Sequence, residues 1–189
     1  MEMNNNHNKR TYTISAFSEN HIGLLNRITI IFTRRQVNIE SLTVSASAIQ
    51  GIHKFTIVVF DTEEKVKKVA GQIEKMVEVL KAFYHTDDEI IYQEIALYKV
   101  STETLLSSNT IEQIVRKHNA RILEVTPEFA VIEKTGHLEE TQQLFDELKP
   151  YDVKQFTRSG RIAITKLSQE LLTNYLAEMD RREKAIINN

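Results

Sequence analysis

Hydrophobic and polar residues alternate over several short stretches of this chain, and between these stretches hydrophobic residues recur at helical spacing. Residues 11–17 (TYTISAF) alternate, which predicts a half-buried strand, and the apolar residues of 23–35 fall on one face of a helix. Residues 37–47 alternate again, and after a turn at Gly51 residues 53–60 supply the return strand, which predicts a hairpin. A second helical face follows, formed by Val66, Val69, Ile73, Met76, Val77 and Leu80.

A short apolar stretch at 79–85 ends the first half of the chain, and the same order of elements then repeats. The predicted strands of the second half are 92–100, 120–127, 129–136, 152–158 and 160–167. Its predicted helices are carried by Ile111, Ile114 and Val115, and by Leu138, Leu144, Phe145 and Leu148.

Each half therefore has the element order β-α-β-β-α-β, which is the split βαβ or ferredoxin-like arrangement. The fold class predicted for the chain is α+β, with two ferredoxin-like βαββαβ domains in tandem. Each domain has a four-stranded antiparallel sheet with its helices on one face. The other face needs cover from another domain or subunit, so the fold leads us to expect a homodimer.

The domain boundaries follow from the ends of these patterns. Residues 1–10 are Asn-rich and predict a disordered lead-in, whereas 11–86 form the first domain. An acidic stretch without periodicity separates this domain from the second, which is predicted at 91–167. Residues 168–189 predict a helical tail that packs either on the body of the protein or against a partner.

Composition narrows the class of protein. The 189 residues are 41% hydrophobic and 26% charged with a net charge of −2, so no basic field points to a nucleic acid or an anionic membrane. Cysteine is absent, which excludes disulfides and thiolate sites and fits the reducing cytoplasm that we expect as the location. No apolar segment resembles a signal peptide or a membrane span.

Motifs for catalysis or metal binding are not found in the sequence. The six histidines lack metal-binding spacing, and no Gly-rich phosphate loop or nucleophile elbow occurs. Paired carboxylates lie at predicted helix starts or in the linker, where helix dipoles and solvation account for them. We therefore predict no catalytic residue, no metal site and no cofactor on this chain.

The stretch around Gly23 is the best candidate for a binding site. A glycine at a helix N-terminus lets a carboxylate approach the exposed backbone amides. Asn20 and Asn38 carry amides that could satisfy the other polar end of a small zwitterion, because the β1–α1 loop and the start of the second strand are expected to lie near each other. The apolar residues available for an aliphatic side chain are Ile22, Leu24, Leu25 and Ile39.

A purely structural interpretation is equally compatible with these residues. In it, Asn20 is an N-cap, Gly23 is a loop residue and Asn38 is a turn residue. The residues alone leave both interpretations open.

The segment 18–44 (SENHIGLLNRITIIFTRRQVNIESLTV) resembles the signature of the acetolactate (acetohydroxyacid) synthase small, regulatory subunit family. That signature has the pattern E-N-x-x-G-x-L-x-R, followed after a helix by N-I-E-S-L-T-V. It is matched here by Glu19, Asn20, Gly23, Leu25, Arg27 and the unbroken segment 38–44. The second half is similar to the family through EIALYKV, ILEVTPEFAVIEKTG and FTRSGRIAI.

The resemblance implies that 11–86 is an ACT domain that dimerises and binds an effector. Members of this family have no active site of their own. They bind and activate a large catalytic subunit, which carries thiamine diphosphate, Mg and FAD, and they confer feedback inhibition by valine or another branched-chain amino acid. The effector lies between two ACT domains of a dimer.

By the same resemblance, Asn20, Gly23 and Asn38 would hold the polar end of the amino acid, with Ile22, Leu24 and Ile39 around its side chain. Two positions depart from the family: Gln36 stands where many relatives have glycine, and Ile22 stands where a small or polar residue is usual.

Two other functions remain open at this point. A free-standing ACT-type amino-acid sensor acting through another partner would have the same fold and ligand site. A small enzyme on a ferredoxin-like scaffold is disfavoured because no nucleophile and base are found together in the sequence.

Overall fold

A computed structural model describes residues 8–107, 109–167, 172–177 and 181. The chain divides into two compact units. The first gathers the chain up to Ile91 and from Ala163 onward, and the second is Tyr92–Ile162. The second domain was predicted at 91–167, whereas residues 163–167 cluster with the first unit.

The first unit has the predicted order of elements. They are β1 (Lys9–Glu19), α1 (Leu24–Arg35), β2 (Ser41–Ala46), β3 (Ile52–Thr62), α2 (Glu63–Ile73) and β4 (Val79–Thr86). The strands form an antiparallel sheet in the order β2-β3-β1-β4, which confirms the ferredoxin-like arrangement. β1 begins at Lys9, earlier than the predicted strand, and residues 1–7 of the predicted lead-in lie outside the described residues.

The core of the first unit follows the two periods of the sequence. Tyr12, Ile14 and Ala16 alternate along β1 and are buried on the face covered by helices. The buried residues of α1, which are spaced by four, pack in the same core; they are Leu24, Ile28 and Phe32. The helix α1 therefore lies along the sheet, because its apolar face and that of the sheet are buried together.

The second unit repeats the arrangement. A 3₁₀ helix, Asp87–Glu89, precedes it, and its elements are β5 (Ile90–Ser101), α3 (Thr102–Ser107), α4 (Thr110–Lys117), β6 (Arg121–Val125), β7 (Phe129–Gly136), α5 (Leu138–Leu148), a 3₁₀ helix (Lys149–Tyr151) and β8 (Val153–Arg158). The strand β9 (Ile162–Thr165) follows and, apart from Ile162, belongs to the first unit. The sheet order is β6-β7-β5-β8, and β9 also pairs with β5. The first helix predicted for this half is preceded by a separate short helix, α3.

The chain returns to the first unit after the second unit is complete. The Lys54 ammonium donates a hydrogen bond to the Ala163 carbonyl at 2.5 Å, and the Lys166 amide donates to the Glu89 carbonyl at 2.9 Å. Residues 163–167 thereby lie on the face of the first sheet opposite the one that carries α1 and α2, since Lys54 and the core residue Phe55 point to opposite faces of β3.

The described part of the tail also packs on the first unit. Residues 172–177 are helical, Leu172 is fully buried, and the Lys81 ammonium lies 5.4 Å from the centre of the Tyr175 ring. This agrees with a tail that packs on the body of the protein. Within the described residues, no helix has the length and apolar character needed to cross a membrane.

Candidate functional site

The helix α1 begins at a residue with a left-handed backbone. Gly23 is its N-cap, with φ of 83° and ψ of −4°, a backbone conformation that residues other than glycine adopt only at a cost in free energy. A Cβ atom built on Gly23 would find no atom within 4 Å. The glycine is thus required by the backbone, and it leaves open space at the helix N-terminus. Asn20 is not the N-cap, so that part of the purely structural interpretation is wrong.

The backbone amides at this helix start are only partly used. The Leu24 amide donates to the His21 carbonyl at 3.3 Å, and the Gly23 carbonyl accepts from the Arg27 amide at 3.2 Å. Within the described part of the chain, no backbone acceptor is found for the amides of Gly23 and Leu25. Such N–H groups at the positive end of the helix dipole favour an anionic group.

The apolar residues around Gly23 differ in their access to a ligand. Ile22 is 99% exposed and Leu25 is 45% exposed, so both side chains reach the surface beside the helix start. Leu24 is 1% exposed because it packs in the core. The expectation that the Leu24 side chain contacts a ligand is wrong for this structure, and only its backbone lies at the site.

The loop before α1 is held in place by contacts with two neighbouring segments. The Asn20 amide donates to the Gly51 carbonyl at 3.2 Å, which ties this loop to the turn between β2 and β3. The Glu19 amide donates to the Glu78 carbonyl at 3.0 Å, just before β4 begins. The Asn20 side chain remains exposed beside Gly23.

An ion pair between Arg27 and Glu78 fixes the first turn of α1. The hydrogen bond from Arg27, aided by a backbone amide, lowers the pKa of the Glu78 carboxyl. The sequence-based prediction gave Arg27 no role. Its partner stands far along the chain, and the one available signal was an acidic residue directly before the apolar stretch 79–85.

Asn38 and Ile39 follow the other end of α1. The side-chain amide of Asn38 donates a hydrogen bond to the Glu40 carboxylate at 2.8 Å, and Ile39 is half-buried against the core. The 12 residues of α1 span about 18 Å, at 1.5 Å per residue. Gly23 and Asn38 are therefore at opposite ends of the domain.

The strand register supports the same separation. β2 begins at Ser41 opposite Val58, which lies opposite Thr13, whereas the end of β1 at Glu19 lies opposite Ile52. The expectation that the β1–α1 loop and the start of β2 are close together is wrong within one copy of the chain. The reason is that α1 runs back along the whole sheet before β2 begins.

Comparisons with known proteins agree on one family. The family model described as AHAS small subunit-like ACT domain matches residues 14–81, and the one described as small subunit of acetolactate synthase matches residues 93–167. The acetolactate synthase small subunit of Bacillus subtilis is 33% identical over 163 residues, which cover 86% of this chain and 93% of the relative. That of Mycobacterium leprae is 33% identical over 156 residues, covering 82% and 92% respectively.

A solved structure extends the agreement to three dimensions. The crystal structure of the acetolactate synthase small subunit from Thermotoga maritima has a TM-score of 0.76 with 26% identity, and the match covers 85% of this chain and 99% of that one. The matched regions span both units and include the loop and helix around Gly23. This chain belongs to the acetolactate synthase small-subunit family.

Proposed function

We propose that this chain activates the thiamine-diphosphate-dependent catalytic subunit of acetolactate synthase and makes it sensitive to feedback inhibition by valine. Thiamine diphosphate, Mg and FAD then belong to the catalytic partner, and this chain contributes regulation. The observation that carries the proposal is the left-handed Gly23 at the start of α1, with open space beside backbone amides. A carboxylate of an amino acid is the group that such a site favours.

We further infer that each valine site is shared between two copies of the chain. Gly23 and Asn38 stand at opposite ends of a helix about 18 Å long, so a molecule of the size of valine cannot contact both within one copy. Two copies with antiparallel α1 helices would bring Gly23 of one copy beside Asn38 of the other. Two equivalent sites would form by symmetry.

The edge of the first sheet is the surface that favours this arrangement. β2 is an edge strand, with β3 as its neighbour in the sheet, and Val44 on it is 42% exposed. An unpaired edge offers backbone donors and acceptors to a second copy. Antiparallel pairing of two β2 strands would also place the two α1 helices antiparallel, as the shared site requires.

Regulation then follows from differences in affinity. Valine bound across the dimer favours the arrangement of the two ACT domains that it fits best, and it can shift the equilibrium only by that difference. A coupling of about 1–3 kcal/mol between the valine site and the catalytic subunit would be typical. Ile22, which is fully exposed beside Gly23, is the residue that we expect to tune the choice among branched-chain amino acids.

The test is valine inhibition of the enzyme reconstituted with the catalytic subunit. In Gly23→Asp, a carboxylate occupies the space reserved for that of valine, so valine should no longer inhibit. Aspartate tolerates a left-handed backbone better than most residues, which limits the structural cost.

Gly71→Asp is the matched control, since Gly71 is an exposed glycine of the same domain in α2, with no atom within 4 Å of a built Cβ. This variant should keep its valine inhibition. Unchanged inhibition of the Gly23→Asp enzyme would contradict the proposed site.

A further inference from the structure

A cavity of about 260 Å³ lies within the first unit, on the sheet face opposite the one that carries α1 and α2. Its floor includes Phe17 of β1 and Phe83 of β4, whose rings meet edge to face at 6.4 Å between centres. Its cover includes Ile164 and Leu167, from the segment that returns after the second unit. The cavity and the helix α1, which begins at Gly23, lie on opposite faces of the sheet.

The cover is unusual in being apolar and exposed. Ile164 is 64% exposed and Leu167 is 61% exposed, although both line the cavity. Exposed aliphatic side chains over an aromatic floor leave apolar surface in contact with water, and a hydrocarbon group between them would remove that surface from water.

The polar end of the cavity is positive. Lys54 and His85 line it, and among the described lining residues Lys54 is the one with a formally charged side chain. Burial lowers the pKa of His85; Glu89 opposes this effect, and Lys54 adds to it. The imidazole is therefore neutral at neutral pH.

The geometry at Lys54 suits an anionic oxygen. Its ammonium donates to the Ala163 carbonyl at 2.5 Å and lies 5.7 Å from the centre of the Phe17 ring, which places the charge where the cover meets the floor. An ammonium group has three N–H donors, so a bound oxygen would share it with the Ala163 carbonyl and with the further interaction that Lys54 makes.

We propose that this cavity is a second small-molecule site, which binds a monocarboxylic acid with a short aliphatic chain. The carboxylate lies beside Lys54 and His85, and the chain lies between the phenyl rings and the cover. At roughly 30 Å³ for each water-sized group, the cavity holds about eight or nine such groups. A six-carbon branched acid such as 4-methylpentanoate has this size.

Binding also has a consequence for the chain path. The ligand contacts both the sheet and the segment 163–167, so it stabilises that segment on the first unit. Amide hydrogen exchange of this segment should slow when the site is filled.

The experiment is calorimetric titration of the full chain with 4-methylpentanoate and with its neutral counterpart 4-methylpentanamide. We expect saturable binding of the acid and binding at least tenfold weaker of the amide. Lys54→Met, which keeps the length of the side chain, should weaken the acid at least tenfold and leave the amide unchanged. Absence of saturable binding at millimolar acid, or equal affinity of wild type and Lys54→Met, would overturn the proposal.

A second variant keeps the test independent of any effect of Lys54→Met on folding. The chain has no tryptophan, so Leu167→Trp at the exposed rim gives a unique fluorescent probe. Its emission should change with 4-methylpentanoate along a saturable curve, and an unresponsive emission counts against the cavity.

A third variant distinguishes binding in the cavity from binding at the valine site. Gly23→Asp should bind 4-methylpentanoate like the wild type while it loses valine binding. Parallel loss of both ligands in Gly23→Asp would place the acid at the effector site and refute a second site, whereas retention of valine would contradict only the function proposed above.

Discussion

Gly23 and Gln36 bracket α1 with the same backbone conformation and different consequences. Both have positive φ, 83° for Gly23 and 52° for Gln36. Glycine adopts this conformation without a Cβ clash, whereas a side chain there costs roughly 1–2 kcal/mol. At Gly23 the backbone conformation and access to the amides both favour glycine, and at Gln36 the helix end carries a strained residue.

Replacing Gln36 with glycine should stabilise the protein. The Gln36 amide already donates to the Thr33 carbonyl at 3.1 Å in a left-handed C-cap, which glycine retains. We expect the free energy of unfolding to rise by up to about 1 kcal/mol, since the greater freedom of glycine in the unfolded chain offsets part of the relief. Urea unfolding with an unchanged m-value measures this.

Asn119→Gly is the control for this prediction. Asn119 has φ of 49°, and asparagine tolerates this region better than glutamine does. Its replacement should stabilise less. A Gln36→Gly protein that is less stable than wild type, or that gains no more than Asn119→Gly, would refute the argument.

At the scale of elements, β5 and α5 are joined by a buried tyrosine. The Tyr98 hydroxyl donates to the Thr141 carbonyl at 2.6 Å, and the Tyr98 ring lies 5.1 Å from that of Phe156. Burial, against the opposing effect of the Arg158 charge, raises the pKa of Tyr98 to about 12. The phenol thus stays protonated in the folded protein at a pH where it ionises in the unfolded chain.

This difference predicts how stability changes at alkaline pH. A group whose folded pKa is raised stabilises the fold fully below its unfolded pKa of 10.0, and that contribution is lost as the pH rises toward 12. At neutral pH, Tyr98→Phe should be about 1 kcal/mol less stable than wild type, because it lacks the hydrogen bond. As the pH rises above 10, the free energy of unfolding of Tyr98→Phe should fall less than that of wild type. Denaturant unfolding at several pH values, in both proteins, measures the difference.

Parallel stability curves for wild type and Tyr98→Phe across the alkaline range would contradict this account. Tyr151→Phe is the control for the removal of a tyrosine hydroxyl, because Tyr151 is only partly buried.

The sequence predicts elements well where one face of the element is buried. The four-residue spacing of α1 and the alternation of β1 are visible because the residues concerned lie in one core. The helix α3 escaped prediction because it has six residues with only Thr102 buried, which is too short and too polar for a periodic signal. The candidate site could be predicted in part. A long, correctly spaced motif identified Gly23 and Asn38, but it did not contain the distance between them.

At the scale of the whole molecule, two features depend on contacts between distant parts of the chain. The alternation of 160–167 predicts a strand, yet only the folded chain shows that residues 163–167 lie on the first sheet. The separation of Gly23 from Asn38 likewise follows from the direction in which α1 crosses the sheet. A local pattern contains neither fact, because both are set by tertiary packing.

The proposal that each valine site is shared between two copies can be tested by mixing two variants that each bind valine poorly. Homodimers of Gly23→Asp and homodimers of Asn38→Ala each have a defect in every site and should bind valine poorly. In a mixed dimer, both changes fall in one site, and the other site combines an intact Gly23 from one chain with an intact Asn38 from the other.

Mixed dimers carrying two different affinity tags can be purified and titrated calorimetrically with valine. The account predicts one valine for each mixed dimer, with an affinity close to that of wild type, and none of comparable affinity for either homodimer. Mixed dimers that bind valine no better than the homodimers would contradict a site built from Gly23 of one copy and Asn38 of the other.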